Sequence, residues 1–439
     1  MIAGKISAGT QDPARRKGLH KMDFEEMLRP KICSCGKEHS CEIKYVDIGY
    51  GVLSRIPERT RNYQHILLVA DENTYAACGA QTEAALGSKL EAGVVFPGDP
   101  LLVPNERAIE AIRGKLTASI DLILGIGSGV IQDLCKYVSF EAGLPYHIIA
   151  TAPSMDGYAS KGAAMILGNM KVTVNAHVPE VILADLDVLK DAPMALIQSG
   201  YGDILGKFSC LNDWKLSAVV NGEYFCPVVY GMVEEMLRSI KDLGPKLLSR
   251  DPEAIGLLME ALIGVGIAMA YVGNSRPASG SEHHLSHFFE ITGLLNDEFY
   301  FMHGTDVAYS AVYTQKLREA LLTLGAPFSQ GGHTRQGWEA AIRAVYTDAA
   351  EGVIALQDKL GWYEQERLPI YKEKWPQIKA ILKEVPSSEA LAAYLASVGL
   401  PMEAFEEAYS QEKIQNALFY AKDLKDRYTV LWLYYDLMR

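Results

Sequence analysis

Short apolar runs recur along the first half of the chain, separated by longer stretches of mixed polarity. His65–Ala70, Gly93–Phe96, Leu122–Leu124, Tyr146–Ala150 and Glu180–Ala184 are rich in β-branched and aliphatic residues, with Pro, Gly or Asp beside them. Between them, Ala76–Ala92, Glu106–Lys115 and Ile131–Glu141 read as helices. That alternation predicts parallel βαβ units whose strands are covered on both faces. After about Pro193 the strand pattern stops. Ile197–Val220, Val228–Leu243, Ala254–Val272 and His283–Thr292 then read as successive helices, and amphipathic segments continue to Arg439. The expectation is an α/β chain of two lobes: residues 1–190 around a parallel sheet, and residues 191–439 all helical. A site in such a chain belongs in the cleft between them.

One apolar stretch changes that picture only if it spans a membrane. Residues 254–273 approach the roughly 20 apolar residues a bilayer requires. Glu260 interrupts them and four glycines dilute them, so a helix buried in the helical lobe is the better reading. The beginning of the chain, MIAGKISAGTQDPARRKG, has no apolar region of the secretory type, and a cytoplasmic protein is expected. With 42 Lys and Arg against 54 Asp and Glu, the formal charge of −12 argues against a nucleic-acid partner. Seven cysteines in 439 residues do not make a disulfide framework.

The candidate chemistry begins where Leu122–Leu124 runs into Gly125-Ile126-Gly127-Ser128-Gly129 and a helical segment follows. Glycine lets a backbone approach a phosphate closely, and a helix N-terminus supplies N–H donors and a positive dipole end. The spacing is neither G-x-G-x-x-G, since Val130 holds the last position, nor a P-loop. Asp133 and Lys136, three apart on that helix, read as a surface ion pair. Asp71, just past the first strand, suits either an adenosine ribose or a helix cap.

Three further segments carry metal-ligand chemistry. Gly200-Tyr201-Gly202-Asp203 places a carboxylate, read as lying near the start of a helix. Ser279–His287 holds His283, His284 and His287, of which the first and last share a helical face. His303 follows in Met302-His303-Gly304. One carboxylate and two imidazoles suit a divalent ion that keeps coordination positions open. Zinc, nickel and iron(II) all accept that set. A second cluster, Cys33, Cys35, His39 and Cys41, has zinc-knuckle composition but not the usual C-x2-C spacing, and reads as free thiols. Cys78, Cys135, Cys210 and Cys226 read as small core residues.

The segments GIGSGVIQDLCKY (125–137), TAPSMDGYAS (151–160), GYGDILGK (200–207), SRPASGSEHHLSH (275–287) and MHG (302–304) resemble, in order, those of bacterial glycerol-1-phosphate dehydrogenases. That family belongs with the metal-dependent glycerol dehydrogenases, iron-dependent alcohol dehydrogenases and dehydroquinate synthase. The resemblance implies a Rossmann-like dinucleotide-binding lobe over 1–190 and a helical metal- and substrate-binding lobe over 191–439. It implies NAD or NADP as cofactor, one divalent metal (zinc, nickel or iron), a small phosphorylated polyol as substrate, and a homodimer. By it, Asp71, Gly127, Ser128, Gly129, Val130, Ile131, Thr151, Ser154 and Ser160 would meet the dinucleotide. Asp203, His283 and His303 would bind the metal. Asp156, Asp203 and His287 would face substrate as the catalytic set. The implied reaction interconverts sn-glycerol 1-phosphate and dihydroxyacetone phosphate. An unphosphorylated polyol, a dehydroquinate-synthase-like lyase reaction and non-catalytic dinucleotide binding are the competing readings. Lys161, Lys207 and Arg276 are the candidates for the substrate phosphate. The cysteine cluster and the helical tail lie outside the five motifs.

Overall fold

The computed structural model describes residues 22–168, 170–328 and 334–438; the reading of the chain's start falls outside them. Six strands form one sheet: β1 Tyr45–Gly49, β2 Ile66–Asp71, β3 Leu90–Phe96, β4 Leu122–Gly127, β5 Tyr146–Ala150 and β6 Val181–Asp185. Their order is β1-β6-β5-β4-β2-β3, and every neighbouring pair is parallel. All of β4, β5 and β6 is buried, as is β2 up to Asp71, whereas the edge strand β3 alternates. A continuous Ile, Leu and Val run tolerates no water on either face, so helices must cover both sides.

The helices that matter to the site are α1 Glu72–Leu86, α2 Gly129–Ala142, α3 Met194–Leu205, α4 Lys207–Asn221, α5 Pro227–Ile240, α6 Pro252–Val272, α7 Ser281–Asn296 and α8 His303–Leu322. Among the described residues no strand follows Asp185, and helices continue to Met438. α6 is long and apolar enough to cross a membrane, yet 89% of that stretch is buried within the protein.

Several elements depart from the sequence reading. The helix expected over Ala76–Ala92 ends at Leu86, where Gly87 takes φ +56, and Leu90–Ala92 already belong to β3. The helix expected over Ile197–Val220 is two helices meeting at Gly206. β1 was not foreseen: its sequence YVDIG is short and carries a buried Asp47, held by Arg55 and Arg59. Two antiparallel hairpins also escaped the reading, Lys31–Ile32 with Glu38–His39 and Gly162–Leu167 with Met170–Asn175.

Candidate active site

The carboxyl ends of β2, β4 and β5 come together at the top of the sheet. Ala70 pairs with Ile126 and Gly127 with Ala150, so Asp71, the glycine turn and Thr151 share one edge. Gly127 is dictated by packing, since a Cβ there would sit 2.5 Å from that of Ile131. Gly129 differs: an added Cβ would make only an ordinary 3.7 Å contact with Met155, so nothing inside the protein requires its bareness. Ser128 precedes α2 without a side-chain hydrogen bond capping it. A bare glycine and a helix N-terminus without a side-chain cap form a cradle that fits a pyrophosphate.

Around this edge the expected cofactor residues divide. Thr151, whose N–H donates to Gly127 O at 3.1 Å, and Ser154 are buried beside the turn. Val130 and Ile131 occupy the first turn of α2. Ser160 instead spends its hydroxyl on Gly157 O and Gly162 O. Asp71 is the N-cap of α1: its side chain accepts from Thr74 N at 2.8 Å, and its own N–H donates to Thr74 Oγ1 at 3.1 Å. Lys136 corrects the surface-pair reading. It is fully buried and donates to Asp133, Gly157 O and Gly162 O, tying α2 to the loop that carries Asp156.

Asp203, His283 and His303 converge although 100 residues separate the first from the last. One ligand-capable atom of each lies within 4.8 Å of the others. Helix crossing explains this. A Cβ on Gly202 would lie 2.4 Å from Gly304 O, and one on Gly304 only 2.0 Å from Ser199 O. α3 and α8 therefore touch backbone to backbone, a distance only glycine permits. Asp203 stands in the last turn of α3, not near a helix start as its motif had suggested, and His303 is the first residue of α8. α7 adds His283 in its first turn; Asp213 fixes where α7 begins by accepting from Ser281 N at 2.7 Å and from Arg318 at 2.8 Å.

The surroundings suit a cation. His283 Nδ1 lies 2.7 Å from Glu282 Oε1, which leaves Nε2 turned toward Asp203 Oδ1, 3.6 Å away. Glu282 is fully buried; burial opposes its charge, but the bond to His283, the His283 charge, the Gly280 N–H and Lys207 together outweigh it and lower its pKa. Asp203 is likewise fully buried, but Lys207, His283 and His303 overcome the burial and hold its carboxyl at about 2. For Asp156, burial and the Asp203 charge prevail over Lys207 and raise the pKa. One buried carboxylate and two imidazoles, converging within 4.8 Å, form a donor set for a divalent metal, so the residues fit such an ion.

Lys207, one of three candidates for the substrate phosphate, has a setting that its sequence did not show. Rather than standing free for a phosphate, it is fully buried and donates to Asp156 Oδ2 (2.6 Å), Asp203 Oδ1 (2.8 Å) and Ala278 O (2.9 Å). Asp156 also offers its N–H to Asp203 Oδ2 at 3.0 Å, which joins the sheet-edge loop to α3. His287 lies on the α7 face shared with His283, half-buried, its ring 5.4 Å from that of His303. His284 faces away into a fully buried position. Burial, then Arg427, Lys425 and Arg276, push its pKa well down, so it is a neutral core residue.

The other two phosphate candidates are also engaged. Lys161 meets Glu42 at 2.7 Å, and the buried Arg276 guanidinium makes a two-pronged pair with half-buried Glu223. Arg427, not singled out from sequence, reaches the loop before α7 and donates to Ser279 O and Ser275 Oγ. Glu282 was equally missed, although its place beside His283 was a visible cue.

Residues 47–193 match the iron-containing alcohol dehydrogenase family. A glycerol-1-phosphate dehydrogenase [NAD(P)+] of Halalkalibacterium halodurans is 30% identical over 411 residues, covering 91% of this chain and 94% of that protein. Its namesake in Pyrococcus horikoshii is 31% identical over 280 residues, 60% of this chain and 76% of its own. Among solved structures, an archaeal halo-thermophilic alcohol dehydrogenase from a Red Sea brine pool aligns with TM-score 0.58 at 16% identity. The alignment covers 95% of this chain and 99% of that one. A sulfoacetaldehyde reductase from Bifidobacterium kashiwanohense also reaches 0.58, at 12% identity over 90% and 97%. These two establish the fold alone: a parallel-sheet lobe joined to helices in the dehydroquinate-synthase-like manner. On the extent and level of the sequence match, the chain belongs to the glycerol-1-phosphate dehydrogenase family.

Proposed function

We propose that this chain is an NAD(P)-linked, metal-dependent dehydrogenase that interconverts sn-glycerol 1-phosphate and dihydroxyacetone phosphate. The observation that carries the reading is the meeting of Asp203, His283 and His303 beside the sheet edge bearing the glycine turn. The relatives over 90% of the chain supply the substrate. Asp203, His283 and His303 would hold one divalent ion, which when bound acidifies the substrate hydroxyl, while a dinucleotide on the Gly127–Ile131 turn accepts the hydride.

The chain's own residues prepare that reaction in distinct ways. Lys207 bridges Asp156 and Asp203 and so offsets part of the repulsion between two carboxylates held close together in a buried place. Glu282 anchors His283 through Nδ1 and keeps Nε2 free for ligation. Asp156, at the head of the loop after β5, is placed to accept from substrate hydroxyls. Half-buried His287 stands at the rim, where it takes the hydroxyl proton of the alcohol and passes it to water. Asp71, Gly129, Thr151 and Ser154 line the dinucleotide edge; Ser160 contributes to it only by turning its hydroxyl from the local backbone. The division into a dinucleotide lobe over 1–190 and a metal and substrate lobe over 191–439 follows from this assignment. The resemblance alone adds to the proposal a homodimeric, cytoplasmic enzyme that supplies a phospholipid backbone precursor in the reducing direction.

An unphosphorylated polyol retains one observation in its favour: Lys161, Lys207 and Arg276 are each paired with a carboxylate already. Reduction of dihydroxyacetone phosphate, set against dihydroxyacetone, separates the two. Strong preference for the phosphorylated ketone, abolished by full metal removal and restored by zinc, nickel or iron(II), is the expected result. Activity that survives complete metal removal refutes the metal's role, and equal turnover of both ketones refutes the substrate.

A further inference from the structure

The N-terminal cysteine motif does not close as its spacing implied. Cys41 stands outside the group, and its place is taken by Cys226, 185 positions along the chain. One ligand-capable atom each of Cys33, Cys35, His39 and Cys226 lies within 4.8 Å of the others. Cys33 and Cys226 place their sulfurs 3.7 Å apart; His39 Nε2 is 3.5 Å from Cys35 Sγ and 3.4 Å from Cys226 Sγ. We propose that these four residues form a second metal site, a structural Cys3His zinc centre that fastens the N-terminal hairpin to the helical part of the protein.

These three distances match edges of a tetrahedron around one cation. Bonds of about 2.3 Å to sulfur and about 2.0 Å to nitrogen give edges of about 3.8 Å between sulfurs and about 3.5 Å between sulfur and nitrogen. The histidine is prepared for the task. Its Nδ1 lies 2.9 Å from Tyr271 O, a carbonyl that only accepts, so Nδ1 carries the proton and Nε2 presents its lone pair to the sulfurs. The ring is fixed by stacking on Tyr271, with centroids 5.2 Å apart and planes 14° from parallel. Around the sulfurs, Val229 N donates to Cys226 Sγ at the start of α5, and Tyr224 O–H lies 3.1 Å from Cys35 Sγ. A turn closes the first two ligands: Gly36 N donates to Cys33 O and Cys33 N to Lys37 O, with Gly36 at φ +86.

Cys33, His39 and Cys226 are buried and Cys35 half-buried, so the four donors enclose the position and leave no room for substrate. Closed four-coordinate sites of this kind hold structure and do no chemistry. Binding exchanges three thiol protons, released to solvent, for one cation, and no electrons move. The hairpin Lys31–Ile32 with Glu38–His39 has only two-residue strands, and one this short does not hold itself in water. A ligand set spanning the hairpin and the cap of α5 supplies the missing attachment.

Metal analysis of the full-length protein, expressed with zinc, tests this. The wild type is expected to carry two metal equivalents per chain, falling to one in His303→Ala and to one in Cys226→Ser, with Cys41→Ser unchanged at two. Should Cys226→Ser be insoluble, cobalt substitution of His303→Ala decides the matter. Sulfur-to-cobalt charge-transfer absorption supports the site, and its absence overturns the proposal. Recovery of a Cys33–Cys226 disulfide, or of all three thiols titrating freely in metal-replete protein, likewise overturns it.

Discussion

Two clusters in this molecule gather ligand-capable side chains from distant segments within the same 4.8 Å, and they are built for opposite ends. Around Asp203 the donors are one carboxylate and two imidazoles. Charged neighbours crowd them: Lys207 and Asp156 share hydrogen bonds with the carboxylate's surroundings, and His287 stands half-exposed at the rim. Around Cys226 three sulfurs and one imidazole close on each other, and tyrosines cover them. The first arrangement leaves coordination positions free and holds buried charge in readiness, as chemistry requires; the second uses every position and serves cohesion. Backbone geometry differs accordingly. The first cluster exists because α3 and α8 touch through Gly202 and Gly304, the second because a short hairpin is laid against a helix cap.

The comparison breaks most decisively at Asp203. Asp203→Ala removes the proposed carboxylate ligand and leaves Lys207 with Asp156 and Ala278 O. A Lewis-acid contribution of several kcal/mol then vanishes, and kcat/KM at saturating metal is expected to fall by roughly 10^3-fold or more. A drop of less than tenfold in a folded variant would mean that the open cluster is not the reaction centre. Metal analysis of the same variant should show the loss of the equivalent assigned to His303.

Lys207→Met probes the same buried charge through stability. With no ion bound, Asp203 and Asp156 lose their shared counter-ion, and stripping one partner from a buried pair costs about 3–5 kcal/mol. Denaturant unfolding of metal-stripped protein should register that loss, and adding a divalent ion should recover most of it. An unchanged midpoint would show that the two carboxylates are held close by something other than Lys207. Glu282→Gln asks less. It keeps the shape but weakens the anchor on His283 Nδ1, so metal affinity is expected to fall about 10–100-fold, with kcat at saturating metal little changed. Titration of metal-depleted enzyme by activity recovery measures it.

How much of this was readable beforehand follows from what each feature depends on. The strands β2, β4 and β5 were legible because an unbroken Ile, Leu and Val run has few ways to be buried. β1 was not, since Asp47 breaks its pattern and is tolerated only through Arg55 and Arg59, partners that no local window contains. Asp203, His283, His303 and Asp156 could be named from motifs. The role of Lys207 could not, because a lysine in GYGDILGK reads as a free cation until Asp156, from another lobe's loop, is seen beside it. Cys226 is the same lesson in reverse. Its sequence neighbours make it a core residue, and only the fold delivers it to Cys33, Cys35 and His39.

The smallest expected effect lies at Asp71, where two readings of one carboxylate meet. The structure shows it capping α1, with Thr74 completing a reciprocal pair of bonds. Its place on the edge beside Gly127 also suits the ribose of a dinucleotide. Two substitutions part these roles. Serine caps a helix about as well as aspartate, whereas alanine does not cap and costs about 1 kcal/mol. Asp71→Ala should therefore lower the unfolding midpoint, while Asp71→Ser should leave it nearly unchanged. If the carboxylate meets the ribose, both variants lose its repulsion of a 2′-phosphate, and the kcat/KM ratio of NADP to NAD should rise in each. An unaltered ratio in Asp71→Ser confines Asp71 to capping. The choice of cofactor would then rest on groups farther along the sheet edge, and the open cluster would receive its hydride acceptor without help from this residue.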